Sequence, residues 1–162
     1  MSAAALLLAA VTAERLLELV IARRNTRKLL EHGAVEVAAG HYPLIVALHA
    51  FWLAGLWFYG MNNPVHLGWL ALFALLQVLR VWVLVTLGSR WTTRIIVMEG
   101  ETLVKAGPYR FLSHPNYCVV VGEIAVLPQC LGLPLFALVF TLLNGIVLWI
   151  RIRAENRALA SV

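Results

Sequence analysis

Apolar residues fall into five long blocks, at residues 2–22, 42–61, 67–87, 115–130 and 133–151. A helix needs roughly 20 mostly apolar residues to cross a bilayer, so the pattern predicts an all-α integral membrane fold of about five spans. The fourth block is short for a full crossing, which fits a helix with little tilt or one that begins at a dipped interface. Short breakers join two pairs of blocks: "MNNPVH" with Pro64, and "QCLGLP" with Gly132 and Pro134. These predict helical hairpins. The remaining connections, 23–41 and 88–114, are longer. Within the second, "TRIIVMEGETLV" predicts a short extended hairpin turning at Gly100 on the membrane surface.

Composition supports the membrane reading. Hydrophobic residues make up 62% of the 162 and charged residues 13%, with no aspartate; soluble domains carry about 25% charged residues. The length suits a single domain over 1–162. The first block lacks a basic segment before it and contains Glu14, Arg15 and Glu18, so it predicts a retained helix rather than a removable signal. Cys118 and Cys130 lack metal-ligand spacing, and neither zinc nor a disulfide is expected.

Charge then orients the bundle. Of 13 Lys and Arg residues, 11 follow the first, third or fifth block, and none lies in the hairpin turns or before the first block. The positive-inside rule places that side in the cytoplasm, with the N-terminus outside and the C-terminus inside a multi-pass inner (cytoplasmic) membrane protein. The net charge of +5 therefore reflects topology, and no nucleic-acid partner is expected.

The other two cations, Arg15 and Arg80, lie within blocks, as do Glu14, Glu18 and Glu123. A charge at the bilayer centre costs about 2.5–3.5 kcal/mol on insertion scales, so these residues should face inward and pair. An internal salt-bridge network and contact with a substrate both remain open for Glu14, Arg15 and Glu18. The six tryptophans read mostly as an interfacial belt. His41 and His49, two turns apart, lack a third ligand and read as interfacial histidines rather than a metal site. His32 and His66 read as solvated loop residues.

At the fourth block the chain reads "GPYRFLSHPNY" (107–117), and at the end of the fifth "RIRAENRAL" (151–159). Ser113 or His114 can cap a helix whose first turn holds Pro115, and the free amides there favour an anion or polar ligand. The paired motifs resemble the isoprenylcysteine carboxyl methyltransferase family, integral membrane enzymes whose signature runs G-P-Y-R, R-H-P-x-Y and R-I-x-x-E-E-x-x-L. "LRVWVLVTLGSRWTTRIIV" (79–97) is similar to the segment preceding that signature, and "ERLLELVIARRN" (14–25) to a compact bacterial branch. Ser113 stands where many members have Arg, Val119 where many have Gly, and Asn156 in place of the second carboxylate. These departures bear on the acceptor more than on the cofactor.

The resemblance implies a cofactor-binding region over 88–162 that holds S-adenosyl-L-methionine, with S-adenosyl-L-homocysteine as product. It implies His114, Tyr117, Arg151 and Glu155 around the cofactor, with Pro108, Tyr109 and Leu112 shaping the same pocket. An aromatic wall can hold a sulfonium, Glu155 can accept from ribose hydroxyls or the amino group, and an Arg can hold the carboxylate. The implied partner is a lipophilic small-molecule acceptor, isoprenylcysteine-like or alkylpyrone-like, methylated on a carboxyl or acidic hydroxyl. Arg80, Glu123 and Arg15 are the candidates to orient it. Competing readings are a lipid amine N-methyltransferase, a nicotinamide-dependent membrane reductase, and a non-enzymatic small transporter or scaffold.

Overall fold

The computed structural model describes residues 1–98, 100, 102 and 104–160, with side chains as far as 157. Among these are five α-helices: α1 (Ala3–Glu31), α2 (Tyr42–Gly60), α3 (Leu67–Leu87), α4 (Pro115–Cys130) and α5 (Pro134–Ala160). They stand on the five apolar blocks. By length and composition three described helical stretches suffice to cross a membrane: Ala39–Gly60, Leu67–Arg90 and Pro134–Arg157. The 16 residues of α4 span about 24 Å at 1.5 Å each, short of the ~30 Å apolar core of a bilayer.

Two helices outrun their blocks. α1 continues through the basic segment expected to be a connection, because no glycine or proline interrupts it before Gly33, which turns at φ +91°. α5 likewise runs on through "RIRAENRALA", with the Arg153 guanidinium 3.8 Å from the centre of the Trp149 ring. α1 begins on Ser2, whose hydroxyl accepts from the Ala5 amide at 3.0 Å, as N-caps do.

The extended segment pairs with the other long connection. β2 (Ile96–Val97) runs antiparallel to β1 (Val35–Glu36), with Val35 opposite Val97. The two long connections are thus sewn together. Arg94 fixes this junction, donating to both Glu36 oxygens at 2.7 and 2.8 Å while lying 4.5 Å from the Tyr42 ring centre. The return arm of the expected hairpin includes Glu101 and Leu103, which lie outside the described residues.

α4 packs chiefly on α3 and α5. At Gly122 a Cβ would stand 2.8 Å from Leu76 Cδ2, so glycine lets α3 and α4 close together, a small-residue contact common between membrane helices. The main core joins Leu8, Val11, Trp52, Leu56, Phe73, Ile124 and Leu127 from four helices. The outside is apolar too: Phe51, Phe58, Val85, Leu135 and Leu142 are each 61–76% exposed. Such a surface is a liability in water and suits acyl chains. Trp69, Trp82 and Trp149 lie on it, but Trp52 and Trp91 are buried, so an interfacial belt does not account for those two.

Candidate active site

The site forms where α1, α3 and α5 end and α4 begins. The connection from α3 returns through Gly107–Arg110, a single helical turn. Gly107 has φ +52°, and a Cβ there would meet the side chains of Thr86 and Trp82. Only a glycine seats this turn against α3. The chain then enters α4 with His114 at the cap position and Pro115 in the first turn, although no side chain caps the helix. Pro115 has no amide hydrogen and the Tyr117 amide donates back to the His114 carbonyl at 3.1 Å, so the backbone itself closes most of this helix start.

One turn of α4 and one turn of α5 bring four of the sequence candidates together. His114 and Tyr117 stack, ring centres 5.2 Å apart and planes at 17°. Arg151 and Glu155, four apart on α5, face them. The Tyr117 hydroxyl donates to Glu155 and accepts from Arg151 Nε at 2.8 Å. His114 Nδ1 lies 3.9 Å from Glu155 Oε2. The Arg151 side chain is buried, and its Cζ lies 5.6 Å from the Tyr117 ring centre.

These four residues and Tyr109 line a cavity of about 770 Å³, within the size range of sites for cofactors. Arg90, Arg94 and Lys105 line it as well, so among the described residues its charged side chains are mainly cationic. Burial, with the Glu155 carboxylate second, pushes the Tyr109 phenol up to about 12. Tyr109 therefore stays a neutral hydrogen-bonding group across the physiological range.

Pro108 and Leu112 are placed elsewhere. They line a second, apolar groove of about 230 Å³ with Leu76, Leu79, Phe111 and Val119. The segment 108–119 is a partition: Tyr109, Ser113, His114, Asn116 and Tyr117 face the polar cavity, and Pro108, Phe111, Leu112, Pro115, Cys118 and Val119 the groove.

Arg80, Glu123 and Arg15 form a separate buried cluster, among neither set of lining residues. Arg80 donates to Glu18 and, at 2.7 Å, to Glu123 Oε2. Arg15 NH1 donates to Glu18 at 3.0 Å, and its NH2 lies 3.0 Å from Glu123 Oε1, off the hydrogen-bond line. Gln77 donates to Glu123 at 2.9 Å. Glu14 sits at the margin, 3.9 Å from Arg15 and 3.7 Å from Arg80. The five intramembrane charges thus pair with one another across α1, α3 and α4. His41 and His49 stay apart from the cavity; His49 Nδ1 bonds the Ile45 carbonyl at 2.8 Å within α2.

Two wall-building residues lie outside the paired motifs at 107–117 and 151–159 and are not among the candidate site residues of the sequence. Trp91 lines the cavity, and Asn25 on α1 donates to its carbonyl at 2.8 Å. The available signal was Asn25 itself, a poor helix former inside a helix of good ones.

A helical bundle with membrane-length apolar helices and an apolar exterior is the build of a membrane protein, and this one carries a polar cavity at one end. The sequence profile of the isoprenylcysteine carboxyl methyltransferase family matches residues 69–161. The chain belongs to this family, which makes it a member of a group of membrane methyltransferases. It is 37% identical over 159 residues to the uncharacterized protein YpbQ of Bacillus subtilis (strain 168), covering 95% of each chain. No solved structure matches. α1 and α2 lie outside the family profile, whereas the YpbQ match runs over nearly the whole chain.

Proposed function

We propose that this protein is an S-adenosylmethionine-dependent O-methyltransferase acting on a carboxyl or acidic hydroxyl of a lipophilic acceptor. One observation carries the reading: the family's two motifs meet as the His114–Tyr117–Arg151–Glu155 cluster in a cofactor-sized cavity, one chain segment away from an apolar groove.

The donor set fits the cofactor. Arg151 and the cationic rim match an amino-acid carboxylate. Glu155 can accept from ribose hydroxyls or an ammonium. The stacked His114 and Tyr117 rings offer a π face to a cation. S-adenosylmethionine, when bound, supplies an electrophilic methyl on sulfur. Tyr117 holds Arg151 and Glu155 apart in fixed geometry, and neutral Tyr109 adds no competing nucleophile. An acceptor carboxylate is already ionised near neutral pH, so no strong base is needed, and positioning supplies much of the rate. The acceptor tail lies in the groove beside Leu76, Phe111 and Leu112. Arg15, Arg80 and Glu123, which line neither the cavity nor the groove, brace α1, α3 and α4 against one another behind both. In the cell the chain crosses the inner membrane five times, with the cavity on the cytoplasmic side where the soluble cofactor is available.

The test is calorimetric titration of purified protein with S-adenosylhomocysteine and with NADPH. The first should bind and the second should not. His114→Ala and Glu155→Ala should each weaken binding, and His66→Ala, on the far side of the bundle, should not. Unchanged affinity in both site variants would remove the cofactor assignment.

A further inference from the structure

Trp91 is 4% exposed, and its indole nitrogen has no hydrogen-bond partner among the described residues. Buried polar groups in folded proteins almost always find partners, and an indole N–H can only donate. Trp91 is one of the residues lining the 770 Å³ cavity. An orphan donor in the wall of a ligand site is explained by an acceptor atom on the ligand.

Its placement is built rather than incidental. α3 ends at Gly88, where φ is +52°. The chain then makes one turn in which the Trp91 amide donates to the Gly88 carbonyl at 3.1 Å. Buried Asn25 reaches across from α1 and donates to both carbonyls of this turn, Gly88 at 3.2 Å and Trp91 at 2.8 Å. Trp91 forms a buried cluster with Ala22 and Val83, against which Tyr109 packs. The backbone turn and the packed ring are thus held in place before any ligand arrives.

We infer that Trp91 is a ligand-binding residue of this cavity, donating its indole N–H to an acceptor atom of the methyl donor, and that Asn25 is its positioning residue. The inference rests on the cavity being the methyl-donor site. It assigns α1, which lies outside the family profile, a part in binding a ligand otherwise held by α4 and α5.

The experiment compares Trp91→Phe, which keeps an aromatic ring and removes the N–H, with the full-length wild-type protein. S-adenosylhomocysteine affinity should fall by about three- to ten-fold, the net worth of one hydrogen bond, with the ligand-free thermal midpoint unchanged. Asn25→Leu should weaken binding similarly, and the double variant should be no worse than the weaker single one, because both act through one bond. In 15N-indole-labelled protein, one resonance, absent from Trp91→Phe, should move downfield on adding S-adenosylhomocysteine. Repeating the titration with methylthioadenosine, which lacks the amino-acid group, locates the acceptor. A retained penalty places it on the nucleoside, and a lost penalty on the carboxylate; either supports the inference. Wild-type affinity in Trp91→Phe, or additive losses in the double variant, would overturn it while leaving the cofactor reading intact. Failure of the wild type to bind S-adenosylhomocysteine would sink both.

Discussion

Replacing Arg80 with methionine should destabilise the bundle strongly while leaving cofactor affinity alone. The Arg80 side chain is 7% exposed and bonds Glu18 on α1 and Glu123 on α4. Without it, Glu14, Glu18 and Glu123 would share the single guanidinium of Arg15, which already touches Glu18 at 3.0 Å and Glu123 at 3.0 Å. Removing one partner of a buried ion pair costs about 3–5 kcal/mol, because the charge left behind is uncompensated. For a chain of this size each kcal/mol lowers the midpoint by about 2–4 °C, so the loss should be roughly 6–20 °C. Thermal unfolding in detergent, followed by tryptophan fluorescence, measures it. Glu18→Gln and Glu123→Gln added to Arg80→Met should recover most of the loss, since apolar or neutral replacements of whole buried networks are often tolerated. A single variant within 2 °C of wild type would refute the reasoning, and so would a triple variant as unstable as the single. A stable Arg80→Met protein that had lost acceptor turnover would instead make Arg80 the partner of the acceptor anion.

Three further outcomes are expected. Methylation rates should rise along a series of acceptors with lengthening acyl or prenyl tails until the groove of about 230 Å³ is filled, because each buried methylene adds about 0.8 kcal/mol; equal rates for short water-soluble acids would exclude delivery through the groove. The raised Tyr109 pKa, pushed to about 12 by burial and then by Glu155, means the folded state keeps its proton longer than the unfolded chain does. Its stabilising effect is complete below pH ~10 and is lost as pH climbs towards 12, so Tyr109→Phe should flatten the alkaline limb of a stability–pH profile. Single cysteines at Ser2 and Lys105, placed in a Cys118→Ser/Cys130→Ser background, should label from opposite faces of the membrane; labelling from one face would break the five-crossing topology.

Much of this molecule is legible in one dimension because both of its dominant signals are local. An apolar run of membrane length has few folded options other than a helix, and α2 and α3 lie within a residue of their blocks. Residues three or four apart on a helix share a face, so helical spacing alone pairs His114 with Tyr117, and Arg151 with Glu155, within each motif. That the two pairs meet, with the Tyr117 hydroxyl between Arg151 and Glu155, depends on how α4 crosses α5. The same limit applies to the intramembrane charges. Their number and the cost of burying them demand partners, but only packing decides that Arg80 reaches Glu18, 62 residues away, and Glu123, 43 away. The pairing of β1 with β2 and the grip of Asn25 on the Trp91 turn join connections remote in sequence, and no periodicity reports such contacts. Pro108 and Tyr109 are adjacent in the chain yet face different cavities, because the turn at Gly107–Arg110 is seated against α3. The sequence determined which segments are helices and which side chains must avoid lipid; the tertiary structure decided which of those side chains share a wall, since that depends on distances between helices that no single segment encodes.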